Sequence, residues 1–118
     1  MKMYGFWRSL AAYRVRVALK MKKVGFSEEP VNLLGGEQHY PAYLKVNPQG
    51  TVPALVLDNG TILSQSMAIL EFLDETYPDI CPLLPVDAPG KARVRSLSHI
   101  AVSDSHPLVV PRIRSYLS

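Results

Sequence analysis

Apolar positions in the first third of the chain change their period, and each change marks an element. Met3 to Trp7 is a β-prone run ending at Arg8-Ser9, and from Leu10 the positions Leu10, Tyr13, Val17, Ala18 and Met21 recur at helical spacing. The alternation in Arg14-Val15-Arg16-Val17 is that of a strand, but the end signals decide for a helix. Ser9 is a natural N-cap, and Lys20, Lys22 and Lys23 followed by Gly25 form a stop that complements the macrodipole. A second strand is expected over Glu29 to Asn32. Leu33 to Tyr40 then reads as a loop around Gly35-Gly36, with one irregular helical turn at Ala42 to Val46.

Turn residues are densest in the stretch 46–73. Asn47-Pro48-Gln49-Gly50 reads as a turn, Ala54 to Leu57 as a short buried strand, and Asp58-Asn59-Gly60 as a tight connection into Thr61 to Leu63. Val52-Pro53 stands at the strand entrance, where proline removes a ladder donor, where a cis bond is a functional feature, and where the Val52 backbone faces a ligand. A helix follows from Ser66 to Tyr77, closed by Pro78. Met67, Leu70, Leu73 and Tyr77 form its predicted buried stripe, and Ile69 and Phe72 widen that stripe enough for contact on two sides. An X-Pro strand entry, a hairpin turn and a polar helix start, in that order, suggest a site for a peptide-like anion.

Beyond Pro78 the periodicity lapses. Asp79 to Pro89 holds Pro82, Pro85 and Pro89 and reads as a linker, with a new helix starting near Asp87 or Ala88. Val94, Leu97, Ile100 and Ala101 give it an apolar stripe that continues as Leu108, Val109, Val110 and Ile113 around Pro107 and Pro111, and these faces need a partner.

Composition narrows the class. With 118 residues, 47% hydrophobic and 19% charged, the chain is that of a globular protein. No apolar run approaches the ~20 residues of a membrane span, and the start lacks a secretory leader pattern, so a cytoplasmic protein is expected. Cys81 is the single cysteine, which excludes an internal disulfide framework and dithiol exchange. The formal charge of +3 gathers in the first helix and after residue 90, without interleaved aromatics or a recognition-helix pattern. Solvated helix faces explain it better than a nucleic-acid surface.

The stretch carrying Val52-Pro53 and Gln65-Ser66 resembles the glutathione-binding half of the thioredoxin-like domain in glutathione transferases. Arg8 to Leu19, RSLAAYRVRVAL, is similar to the zeta-class (maleylacetoacetate isomerase) signature Ser-Ser-Cys-x-Trp-Arg-Val-Arg-x-Ala-Leu. Ser9 and Arg14-Val15-Arg16 are kept, whereas Leu10 and Ala11 replace the second serine and the cysteine, and Tyr13 replaces tryptophan. The resemblance implies an α/β, thioredoxin-like N-terminal domain over residues 1–80, a linker over 81–88, and the first part of an all-helical C-terminal domain over 89–118 that extends beyond Ser118. It also implies glutathione as cofactor, a small electrophile or unsaturated dicarboxylate as substrate, and a homodimer.

Ionising a thiol of ordinary pKa about 8.5 two units early takes roughly 2.7 kcal/mol of thiolate stabilisation. A hydroxyl donor and a helix N-terminus together reach that range, and Ser9 sits where both meet; it is also a plain helix cap. Arg14 is the second candidate catalytic residue, raising local positive potential and steering a dicarboxylate, with a structural ion pair as the alternative. Arg8 adjoins the proposed thiolate. For glutathione itself, the resemblance assigns the γ-glutamyl carboxylate to Ser66 and the amides of its helix, the ammonium to Gln65, and the cysteinyl backbone to Val52 beside Pro53. Gln38 is assigned to the glycyl end and His106 to a contact from the second domain. Val109, Val110 and Pro111 stand where relatives carry polar residues, so a non-catalytic glutathione-binding or regulatory module is the alternative to a transferase or isomerase.

Overall fold

Four short strands and three helices make up the first of two compact units in the computed structural model, which describes residues 1–117. This unit spans Met1–Pro82, and the second begins at Leu83. Strand β1 (Lys2–Gly5) leads through helix α1 (Leu10–Met21) to β2 (Ser27–Pro30), which lies parallel to β1. Helix α2 (Pro41–Leu44) follows, then the antiparallel hairpin of β3 (Ala54–Val56) and β4 (Ile62–Ser64), and helix α3 (Ser66–Thr76). The sheet order is β2-β1-β3-β4, with β3 antiparallel to β1. This β-α-β then β-β-α arrangement is the thioredoxin-like one expected from the sequence.

Side chains alternate across β1 and separate two layers. A Cβ on Gly5 would meet Arg16 of α1, so Gly5 and Met3 face the layer of α1 and α3. Tyr4 points the other way and meets Tyr43 of α2 edge-on at 5.7 Å between ring centroids. On that side Phe6, Val31, Tyr43 and Val52 form a buried cluster.

The structure moves several expected boundaries and most of one helix face. β1 ends at Gly5 rather than Trp7, because the Ser9 amide bonds back to the Phe6 carbonyl and turns the chain away from the sheet. β2 occupies Ser27–Pro30 rather than Glu29 to Asn32. Asn32 accepts from the Leu34 and Gly35 amides and starts a 3-10 turn, which ends the extended run. Of the predicted α1 stripe, Ala18 is buried and Val17 half-buried, but the other positions face outward. Leu10, Tyr13 and Met21 are 53%, 61% and 42% exposed, whereas Ala12, Val15, Ala18 and Leu19 are buried. In α3 the buried positions are Ser66, Ile69 and Leu73, with Met67, Leu70 and Tyr77 half-buried beside them.

The second unit starts helix α4 (Ala88–His99) with Asp87 as cap, accepting from the Gly90 amide at 2.7 Å. A π-helical stretch, Ile100–Ser105, continues it into α5 (His106–Val109), and α6 (Pro111–Leu117) follows the extended Val110. Pro107 offers no amide to a regular α-turn, and the His106 amide bonds five residues back to the Ala101 carbonyl. None of the described residues of this unit's helices is buried; Leu97, Ile100 and Leu108 of the expected apolar stripe are exposed. No helix among the described residues is long and apolar enough to cross a membrane.

Candidate functional site

Ser9 caps α1: its Oγ accepts from the Ala12 amide at 3.1 Å. Capping uses an oxygen lone pair and leaves the hydroxyl hydrogen to be donated, so the two roles foreseen for this residue are compatible. Arg8 beside it is exposed, with its guanidinium 5.5 Å from the centre of the Trp7 ring.

The two arginines of the Arg-Val-Arg run part company. Arg16 makes a two-pronged pair with Glu28, donates to the Phe6 carbonyl at 3.1 Å, and so ties α1 to β2 and to the chain just after β1. Its hydrogen bond to Glu28 raises its pKa. Arg14 reaches instead to the head of α3, where its guanidinium donates to Ser66 Oγ at 2.7 Å. Burial lowers its pKa from the ordinary value, and no carboxylate among the described residues pairs with it.

Ser66 is 5% exposed and is the first residue of α3, not its cap. The cap position belongs to Gln65, which makes no side-chain capping bond and holds φ 68 and ψ 111, a left-handed φ uncommon for glutamine. The first intrahelical bond runs from the Ile69 amide to the Gln65 carbonyl, so the amides of Ser66, Met67 and Ala68 have no acceptor within the helix. Gln65 Nε2 donates to Gln49 Oε1 at 2.9 Å, which leaves Gln65 Oε1 as an acceptor.

Opposite ends of one loop network fix the stretch before β3. Asn47 Nδ2 and the Tyr43 hydroxyl both donate to the Thr51 carbonyl at 2.7 Å. Desolvation pushes the Tyr43 phenol up to about 12, Asn47 pulls it down and Tyr4 pushes it up. Val52 follows outside the β3 ladder, which begins at Ala54, and the Val52-Pro53 bond is cis. Gly50 has φ 59, and a Cβ there would lie 3.2 Å from the Gln38 carbonyl and from His39 Nδ1. The Gln38 loop therefore packs directly on the Asn47 to Gly50 turn. Gln38 Oε1 is buried without a hydrogen-bond partner among the described residues, an atom that a ligand donor would satisfy; the opposite amide orientation would present a donor there instead.

The first unit thus carries Ser9, Arg14, Gln38, Val52, Gln65 and Ser66, with Arg14 and Ser66 in direct contact. His106 lies in the second unit, half-buried at the head of α5. Tyr43, Asn47 and Gln49 were not singled out from the sequence. The Asn-Pro-Gln-Gly turn was the one available signal for Asn47, whose Oδ1 accepts from the Gln49 amide as in an Asx turn. Uncapped amides, buried hydroxyl and unpaired guanidinium at the head of α3 form a donor set suited to a carboxylate, with an amide oxygen nearby for a cation.

Known proteins resemble this chain in sequence and in fold. The sequence model of the family "Glutathione S-transferase, N-terminal domain" matches residues 8–76. The maleylacetoacetate isomerase of Pseudomonas aeruginosa is 48% identical over 110 residues, covering 92% of this chain and 51% of that protein. A zeta class glutathione S-transferase of Euphorbia esula is 45% identical over 108 residues, covering 92% and 47%. The crystal structure of maleylacetoacetate isomerase from Methylobacterium extorquens AM1 with bound malonate and glutathione superposes with a TM-score of 0.94 at 50% identity, covering 99% of this chain and 54% of that one. The chain spans about half the length of the curated relatives it matches.

Proposed function

Since the chain belongs to the family of the glutathione S-transferase N-terminal domain, we propose that it binds glutathione and serves a zeta-like glutathione transferase or glutathione-dependent isomerase. The observation that carries this reading is the head of α3, where Ser66, three free amides and Arg14 converge with no acid among the described residues to neutralise them. There the γ-glutamyl carboxylate would be held, with the ammonium on Gln65 Oε1 and the cysteinyl backbone along Val52. Gln38 supplies a polar atom for the remaining end of the tripeptide.

Bound glutathione supplies a nucleophilic sulfur, which adds to an electrophilic carbon in conjugation, or reversibly to a conjugated double bond in cis-trans isomerisation of a maleylacetoacetate-type substrate. Ser9 keeps its hydroxyl hydrogen for the ionised sulfur while its oxygen caps α1. Arg8, exposed at the same turn, attracts an anionic substrate. His106 would contribute from the helical part of a cytoplasmic homodimer.

Leu10 and Ala11 offer no side-chain donor beside Ser9, and this favours a second reading, a glutathione-binding module without catalysis. Calorimetry and turnover on one preparation distinguish the two. Binding with conjugation or isomerisation supports the enzyme, binding without turnover supports the module, and no binding to wild type with intact fold overturns both. Ser66→Ala is expected to weaken glutathione about 10- to 100-fold, the loss of a hydrogen bond to a charged group, and to lower the thermal midpoint through the lost Arg14 hydrogen bond, since Ser66 does not cap its helix.

A further inference from the structure

Arg14 sits on α1, five residues past Ser9, yet its side chain serves the other helix. A guanidinium only donates, so in the 2.7 Å bond Ser66 Oγ is the acceptor. The single hydroxyl hydrogen of Ser66 must then point to some other acceptor. It finds none at its own helix start, where only donors remain: the amides of Ser66, Met67 and Ala68. The other N–H groups of Arg14 add further donors. Ser66 is nearly inaccessible, so water does not freely reorient its hydroxyl.

We propose that Arg14 is a positioning residue that fixes the Ser66 hydroxyl as a donor and, with its unneutralised charge, makes the head of α3 select a carboxylate over a neutral amide. This rests on the glutathione reading and assigns Arg14 to binding of the γ-glutamyl carboxylate rather than to steering a dicarboxylate substrate. The electrostatics agree with the geometry: burial opposes the charge of Arg14 and no acid among the described residues offsets it, so an incoming carboxylate is the missing counter-charge.

The test compares two probes, glutathione and its analogue with the γ-glutamyl α-carboxylate converted to the primary amide. Affinity is measured calorimetrically on wild type, Arg14→Met, Arg14→Lys, Ser66→Ala and the Arg14→Met/Ser66→Ala double variant. Wild type is expected to prefer glutathione about 10-fold or more, and Arg14→Met to lose most of that preference by weakening glutathione about 10- to 100-fold while changing the amide less than about threefold. The double variant should be weaker than Ser66→Ala alone by much less than Arg14→Met is weaker than wild type, since the two residues act as one unit. Arg14→Lys, which keeps charge and a donor, should restore part of the preference. Equal weakening of both probes, additive effects, or a fall in turnover with affinity unchanged would each overturn the proposal. If Arg14→Met does not fold, the Arg14→Lys preference decides it. A wild type that binds neither probe overturns the glutathione reading itself, and this inference with it.

Discussion

At the scale of single residues, the hydroxyl oxygens at two helix starts accept within the fold and keep a hydrogen to donate. Ser9 accepts from the Ala12 amide and retains its hydrogen; Ser66 accepts from Arg14 and retains its own. Ser9→Ala should therefore reduce both quantities, by different amounts. Turnover is expected to fall about 10- to 100-fold for a lost hydrogen bond to a thiolate, stability by ~1 kcal/mol for the lost cap, and glutathione affinity hardly at all. Kinetics with a thermal melt on the same variant check this, and unchanged turnover in an active enzyme would leave Ser9 a cap alone. Tyr43 gives a pH prediction. Its phenol is pushed from 10 up to about 12, chiefly by burial, so the folded state favours the neutral form. The stability this contributes is fully present below about pH 10 and is lost as pH rises through about 12. In a difference titration of phenolate absorbance between wild type and Tyr43→Phe, one tyrosine should ionise near 12; ionisation near 10 would contradict it. Helix starts were legible where the signal is local, as at Ser9 and Gln65-Ser66. The Arg14 contact was not, because it joins positions 52 residues apart in sequence.

At the scale of elements, local signals and tertiary choice divide cleanly. The hairpin was readable from Asp58-Asn59-Gly60, since Gly60 takes φ 86 and the Leu57 amide bonds to the Thr61 carbonyl. The start of α4 was readable from Asp87 for the same reason. The buried face of α1 was legible only at Ala18. Apolar residues cover more than half of that helix, and packing in the folded unit decides which of them are buried, a choice that periodicity does not encode. Lys22 carries this furthest. The sequence reads it as part of a helix stop, yet it is 0% exposed, with Nζ donating to Asp74 Oδ1 at 2.5 Å and to the Tyr77 carbonyl at 3.0 Å. It locks the C-terminal ends of α1 and α3 together while Arg14 and Ser66 join the helices at the ligand end. Lys22→Met should cost about 3 kcal/mol in urea unfolding, as expected for removing one partner of a buried pair. It should leave glutathione affinity within about threefold, and a cost below ~1 kcal/mol would show that the pair contributes little.

At the scale of the molecule, the first unit has its own buried core, whereas the helices of the second expose Leu97, Ile100 and Leu108. The periodicity after Ala88 was legible as helix, but what covers its apolar face was not, since a covering surface leaves no mark on the sequence of the face it covers. A protein consisting of these 118 residues is expected to bind apolar dyes or to self-associate, and a dye-silent monomer in sedimentation would contradict this. The central claim is that the first unit holds glutathione at the head of α3 and along Val52. Amide chemical shifts recorded during a glutathione titration test it most directly. The account predicts saturable shifts concentrated at Val52, Gln65, Ser66 and Met67, with Ala12 following as the sulfur reaches Ser9. Saturable binding that leaves the Val52 and Gln65 to Met67 amides unmoved, or no binding by the folded protein, would contradict it.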